Sequence, residues 1–140
     1  MRTSVLALTL LAVMGCGQLN ELPTDPGGGD PVDPSATFTR VQNEVFTPTC
    51  ALIGCHDPIG QQQGLVLTAG RAYAATVNVP STQNPALRRV QPGDPTSSYL
   101  YRKITGAGIS GERMPQGLPA LDEARLRLVR DWIRRGAPND

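Results

Sequence analysis

Apolar residues fall into a few separated groups along this chain, and their spacing changes from one group to the next. Positions 5–14, Val-Leu-Ala-Leu-Thr-Leu-Leu-Ala-Val-Met, form a nearly unbroken apolar run behind Arg2, far shorter than the roughly 20 residues a membrane-spanning helix needs. Positions 17–35 carry no periodicity: Gly, Pro, Asp and polar residues surround Pro26-Gly-Gly-Gly-Asp-Pro31. Such a stretch cannot bury enough apolar surface to order itself and reads as a disordered tether, reaching on the order of 25 Å. Helical spacing begins with Phe38, Val41, Val45 and Phe46, an i, i+3, i+7, i+8 stripe opened by Ser35 or Thr37 as N-cap and closed before Pro48. A second stripe, Leu126, Val129, Trp132 and Ile133, predicts a helix from the N-cap Asp122 to Arg135, with Gly136 as C-cap residue and Pro138 as stop. Leu121 is placed to staple against Leu126 at its entry, and Arg125, Arg127, Arg130 and Arg134 read as its solvated face.

Weaker signals lie between these helices. Asp94-Pro95 reads as a cap with proline in the first helical position, leading a short helix through Tyr99, Leu100 and Tyr101 to Ile104. Positions 72–77 suggest another. Leu65-Val66-Leu67 fits a brief strand or an apolar loop equally well. Positions 105–119 read as a Gly-rich loop around Met114-Pro115, where the proline stiffens the chain beside the methionine. The resulting fold class is mainly α, one small domain over 36–140 with long Gly- and Pro-rich loops. Fifteen Gly and 13 Pro against two Phe, three Tyr and one Trp leave that domain a thin core of its own.

The amino terminus changes the picture by setting a compartment. A basic residue ahead of a short apolar run is the pattern of an export signal, expected over 1–15. The run ends in Ala12-Val13-Met14-Gly15-Cys16, which resembles the lipobox of bacterial lipoproteins. That resemblance implies cleavage before Cys16, acylation there and a stable membrane anchor, with 16–35 as lipidated Cys and linker. An ordinary secretory peptide is the alternative, and either version exports the domain to an oxidising space. Gly17, where inner-membrane retention would call for Asp, leans toward the outer membrane. Without the linker acids Glu21, Asp25, Asp30 and Asp33 and without Arg2, twelve basic residues face eight acidic ones. That mild excess, without interleaved aromatics, is no nucleic-acid footprint.

Candidate chemistry concentrates at Cys50-Ala-Leu-Ile-Gly-Cys55-His56. Two thiols followed by an imidazole are the elements of c-type haem attachment, two thioether anchors and one axial nitrogen. Four residues separate these cysteines where the usual motif has two. Outside the export segment, the only soft ligands are Cys50, Cys55, His56 and Met114, which together supply both anchors and both axial positions. Other readings stay open: a Cys50–Cys55 disulfide in a haem-free interaction module, a Cu(I) site from the same four side chains, or an open-faced haem sensor or peroxidase if Met114 is not a ligand. Structural zinc would have to recruit Asp57 or a distant acid. Blue copper needs two histidines and fails on count. Arg88, Arg89 and Arg113 are candidate partners for haem propionates, with plain surface charge as the alternative.

The order of Phe46, Cys50 through His56, Gly64-Leu65-Val66-Leu67, Pro92-Gly93-Asp94-Pro95, Ser98-Tyr99-Leu100, Met114-Pro115, Leu121-Asp122 and Trp132-Ile133-Arg134-Arg135-Gly136-Ala137 resembles small bacterial cytochrome c domains of the planctomycete type, related in layout to class I cytochromes c. The likeness covers nearly all of 37–137. It implies packed terminal helices, one covalent haem c on Cys50 and Cys55, His56 as proximal ligand and Met114 as distal ligand. The function so implied is a membrane-anchored carrier of single electrons in the bacterial envelope, facing the periplasm or cell surface. It is a carrier rather than an enzyme, with redox proteins as partners. The two additional residues between the cysteines must loop out, and Gly54 offers the backbone freedom for it.

Overall fold

The computed structural model describes residues 30–140; the expected export segment, Cys16 and the first part of the linker lie outside them. Residues Pro31–Asp140 form one compact unit. Its regular structure is helical, with no strand among the described residues and only isolated bridges, such as Val77 with Val90 and Arg88 with Ser98.

The first helix, α1 (Phe38–Val41), opens at Thr37, whose side chain accepts from the Arg40 amide at 3.2 Å, and runs directly into π-helical turns, Gln42–Cys50. The sequence ends this helix before Pro48, but the structure carries it through the proline. A proline ring excludes the carbonyl four residues earlier, here that of Glu44. The wider turns accommodate the ring, and Ala51 bonds back five residues to Phe46 O at 2.8 Å. Arg125 Nε also donates to the Glu44 carbonyl at 3.0 Å, and the Thr49 hydroxyl donates to Val45 O at 2.6 Å. Extending the helix delivers Cys50 buried rather than in a loop.

Helix α2 (Ala72–Thr76) falls where expected, and 65–67 is an extended apolar loop. Helix α3 (Tyr99–Thr105) starts later than the Asp94-Pro95 signal predicts. Asp94 caps a turn instead, its carboxylate accepting from the Ser97 amide at 3.0 Å and the Thr96 hydroxyl at 2.6 Å. Those bonds hold the Asp94 carboxyl down to about 2. The Ser98 hydroxyl, donating to Asp94 O at 2.8 Å, closes the same turn.

Helix α4 (Glu123–Arg134) matches its stripe, with Asp122 accepting from the Arg125 amide at 2.9 Å and Gly136 at φ +94°. Val129, Trp132 and Ile133 are fully buried against Val41, Val45 and Phe46. Phe38 joins the terminal helices, its ring 5.5 Å from Trp132 and 5.2 Å from Tyr73. Polar links reinforce the seam: Phe38 N–H donates to the Asp140 carboxylate at 2.9 Å, and Arg135 donates to Ala36 O at 2.6 Å. The arginine face is only partly solvated. Arg130 and Arg134 flank the buried Asp131, whose carboxylate also accepts from the Asp33 amide at 3.2 Å. That pairing is what lets Asp131 sit at 1% exposure, since a buried charge is tolerated only with partners.

Candidate functional site

The packed terminal helices close one side of the core, and on the other side a cavity of about 580 Å³ opens, within the roughly 300–1,000 Å³ typical of cofactor sites. Cys50, Cys55, His56 and Met114 all line it. Phe46, Leu65, Leu67, Leu100 and Ile104 form its apolar walls, and Gln62, Gln63, Thr82, Gln83 and Arg89 contribute polar atoms. It reaches the surface beside the exposed Cys55 and the half-exposed Leu118.

Cys50 arrives on the last π-helical turn, with its sulfur 3.4 Å from the Thr49 hydroxyl and its thiol pushed up by burial. The chain then loops out. Leu52 and Ile53 project into solvent, Ile53 at 89% exposure, and Gly54 turns the chain at φ +80°, a left-handed conformation in which a side chain is strained. Cys55 N–H donates to Leu52 O at 2.9 Å, and His56 N–H donates to Cys50 O at 3.2 Å. The four-residue spacing is thus a closed turn that carries its excess length outward and returns Cys55 and His56 to the cavity wall. Both thiols are free.

Asp57 braces this turn. Its carboxylate accepts from Gly54 N–H at 3.1 Å and from Gly60 N–H at 2.7 Å. These amides, Gly60 foremost, hold the Asp57 carboxyl below the usual carboxylate range. Gly60 is required by contact: a Cβ there would stand 2.4 Å from Gly54 C and 2.7 Å from Cys55 O, closer than atoms can pack. Gln62 completes the frame, its amide donating to Cys55 O at 3.0 Å and its side chain to Gly54 O at 3.2 Å.

The imidazole of His56 is half-buried, and burial lowers its pKa, favouring the neutral ring. Nδ1 lies 3.2 Å from Leu65 O. A carbonyl can only accept, so Nδ1 carries the proton and Nε2 keeps its lone pair, as in a metal-binding histidine oriented by a backbone acceptor. Leu67 N–H donates to His56 O at 2.7 Å, fixing the main chain of the same residue.

Met114 comes from the loop after α3, its amide donating to Lys103 O at 2.8 Å, ahead of a cis bond to the buried Pro115. Among the propionate candidates, only Arg89 lines the cavity. Its guanidinium is already committed to carbonyls, donating to Ala75 O at 2.9 Å, Gln63 O at 3.0 Å and Gly64 O at 3.2 Å. Arg88 bonds Asn78 O, and Arg113 packs over Gly106.

Sequence reasoning gave Asp57 no role in the turn and did not single out Lys103, which lines the cavity at 7% exposure. Its position one helical turn after Tyr99 and Leu100, on the buried face of α3, is the signal that could have found it. Chemically, the site brings two thiols, a half-buried imidazole and a thioether to one largely apolar cavity, a donor set that a metal-bearing group of that size could use. Among the described residues, no three His, Cys, Asp or Glu side chains gather into a metal-ligand group by themselves. No helix among them is long and apolar enough to cross a membrane. Comparison with protein-family models, with curated proteins and with solved structures finds no match to this chain.

Proposed function

We propose that this chain is a c-type cytochrome, carrying single electrons through one covalently attached haem, anchored by a lipidated Cys16 and facing the periplasm or cell surface. The observation that carries this reading is the shared cavity: the four soft ligands outside the export segment all line one space of cofactor size. A cytochrome c-like arrangement is further supported by terminal helices packed through Phe38 and Trp132, with the cavity on the far side of Phe46.

When bound, haem supplies a one-electron iron couple. The residues around the cavity have separable tasks. Cys50 and Cys55 would hold the haem covalently, each through a thioether made by addition of its thiol S–H across a vinyl group. His56 offers Nε2 along a direction set by the Leu65 carbonyl. Met114 offers its sulfur, and the apolar walls keep water away. With His56 and Met114 both holding the haem, the site would leave no place for a substrate, which supports a carrier whose partners are redox proteins of the envelope.

The full chain, expressed with its own export segment in a host that matures c-type cytochromes, tests the reading. It should emerge red, with haem mass retained under denaturing conditions and loss of attachment in Cys50→Ser, Cys55→Ser. A colourless product lighter than the reduced apoprotein by one pair of hydrogens would instead identify a disulfide-stapled, haem-free interaction module.

A further inference from the structure

Lys103 is a buried charge that the carrier reading leaves without a task. It sits on α3 at 7% exposure and lines the cavity. Burying an ammonium is unfavourable unless its donors are satisfied, and here they are satisfied by main chain. Nζ donates to Ser110 O at 3.0 Å and to Glu112 O at 2.6 Å. The backbone of the same residue takes part as well, Lys103 O accepting from Met114 N–H at 2.8 Å. One residue therefore grips the loop at three alternate positions, 110, 112 and 114, and Tyr99 adds a fourth bond by accepting from Ser110 N–H at 3.1 Å.

The loop has few other ways to hold a shape. Positions 106–113 are exposed or half-exposed, and Gly106, Gly108 and Gly111 all adopt positive φ, so its backbone has wide freedom to lose on ordering. An apolar residue at 103 would pack against Leu100 and Ile104 without a desolvation cost, but it would leave the Ser110 and Glu112 carbonyls without their donor. We propose that Lys103 is a positioning residue, whose ammonium clamps 110–112 against α3 so that the Met114 thioether faces the cavity. For its consequence at iron, the inference rests on the carrier reading; the loop clamp itself does not.

The test compares full-length, matured wild type with Lys103→Met, which keeps length and removes the donors, and with Lys103→Arg, which keeps charge and donors. Two readouts are taken, hydrogen exchange at the Ser110 and Met114 amides and the visible absorption that depends on an iron–thioether bond. In Lys103→Met, exchange at both amides should accelerate about tenfold or more, the scale of a lost hydrogen bond to a charged group, and the thioether-dependent absorption should be lost. Lys103→Arg should retain both. A folded Lys103→Met with unchanged exchange and absorption overturns the inference, as does Lys103→Arg behaving like Lys103→Met. Should Lys103→Met fail to fold, Lys103→Leu, shorter and likewise without donors, carries the same readouts with the same expected and overturning results. If wild type proves colourless, the carrier reading fails, while faster exchange in the variant still upholds the clamp and unchanged exchange still overturns it.

Discussion

Four side chains give the cavity its chemistry, and each can be removed singly. Met114 is the informative one, because on the proposed reading a soft, neutral thioether would raise the potential of the haem couple relative to harder nitrogen or oxygen ligation. Met114→Ala is expected to change the visible spectrum and lower the midpoint potential in a potentiometric titration. An unaltered spectrum would assign Met114 to wall packing and reopen the distal face to a sensor or peroxidase. Asp57 makes a different demand, since it never touches the cavity's contents but fixes the turn that returns Cys55 and His56 to the wall. Asp57→Ala leaves the Gly54 and Gly60 amides without their acceptor, a loss of stability measurable by denaturant unfolding, and on the proposed reading should reduce the fraction of chain carrying haem. The four candidate ligands stand out in the sequence because soft side chains are scarce, and the structure brings all four to one cavity. Asp57 and Lys103 were not, because their partners are backbone amides and carbonyls, which every residue carries and only the folded path brings into reach.

Among the elements, the two terminal helices were legible from their stripes, and their errors are instructive. Pro48 reads locally as a terminator, yet the helix passes through it in wider turns, with Arg125, far along the chain, donating to the Glu44 carbonyl beside the ring. Asp94-Pro95 reads as a helix start, yet the carboxylate finds Thr96 and Ser97 first and closes a turn ahead of α3. Both misreadings put a local preference ahead of a competing partner that becomes available only in three dimensions. The Asp94 turn makes a pH prediction. Its hydrogen bonds from Ser97 and Thr96 hold the folded carboxyl at about 2 against the usual 3.8, so the unfolded chain binds the proton more readily. The stabilisation is complete above 3.8, fades as pH falls toward the folded value near 2, and is gone below it. Urea titrations of wild type and Asp94→Asn across that window should show a stability gap that closes with acid; a gap independent of pH would place the turn's strength elsewhere.

For the molecule as a whole, the division of the interior explains why so few aromatic residues suffice. Trp132, Phe46, Val41, Val45, Val129 and Ile133 are almost completely buried and lock the terminal helices together, while Leu65, Leu67, Leu100 and Ile104, continuous with that core, also line a space of about 580 Å³. Interiors are normally close-packed, and apolar surface facing a void forfeits its dispersion contacts. A guest that fills the space removes apolar surface from water on both sides, at about 25 cal/mol per Å², and a group held only by the native state adds directly to its stability. On the proposed reading, attachment through Cys50 and Cys55 would also tie the end of the π-helical turns to the loop after them, and His56 and Met114 would link that side of the cavity to the loop after α3. The matured protein should therefore melt well above the same chain made without haem attachment and kept reduced, by on the order of 10 °C or more if several kcal/mol are gained. Thermal unfolding followed by far-ultraviolet circular dichroism on both forms decides the matter. Coincident melting curves would mean that the cavity contributes nothing to folding when filled, and that the apolar walls serve some occupant other than a porphyrin.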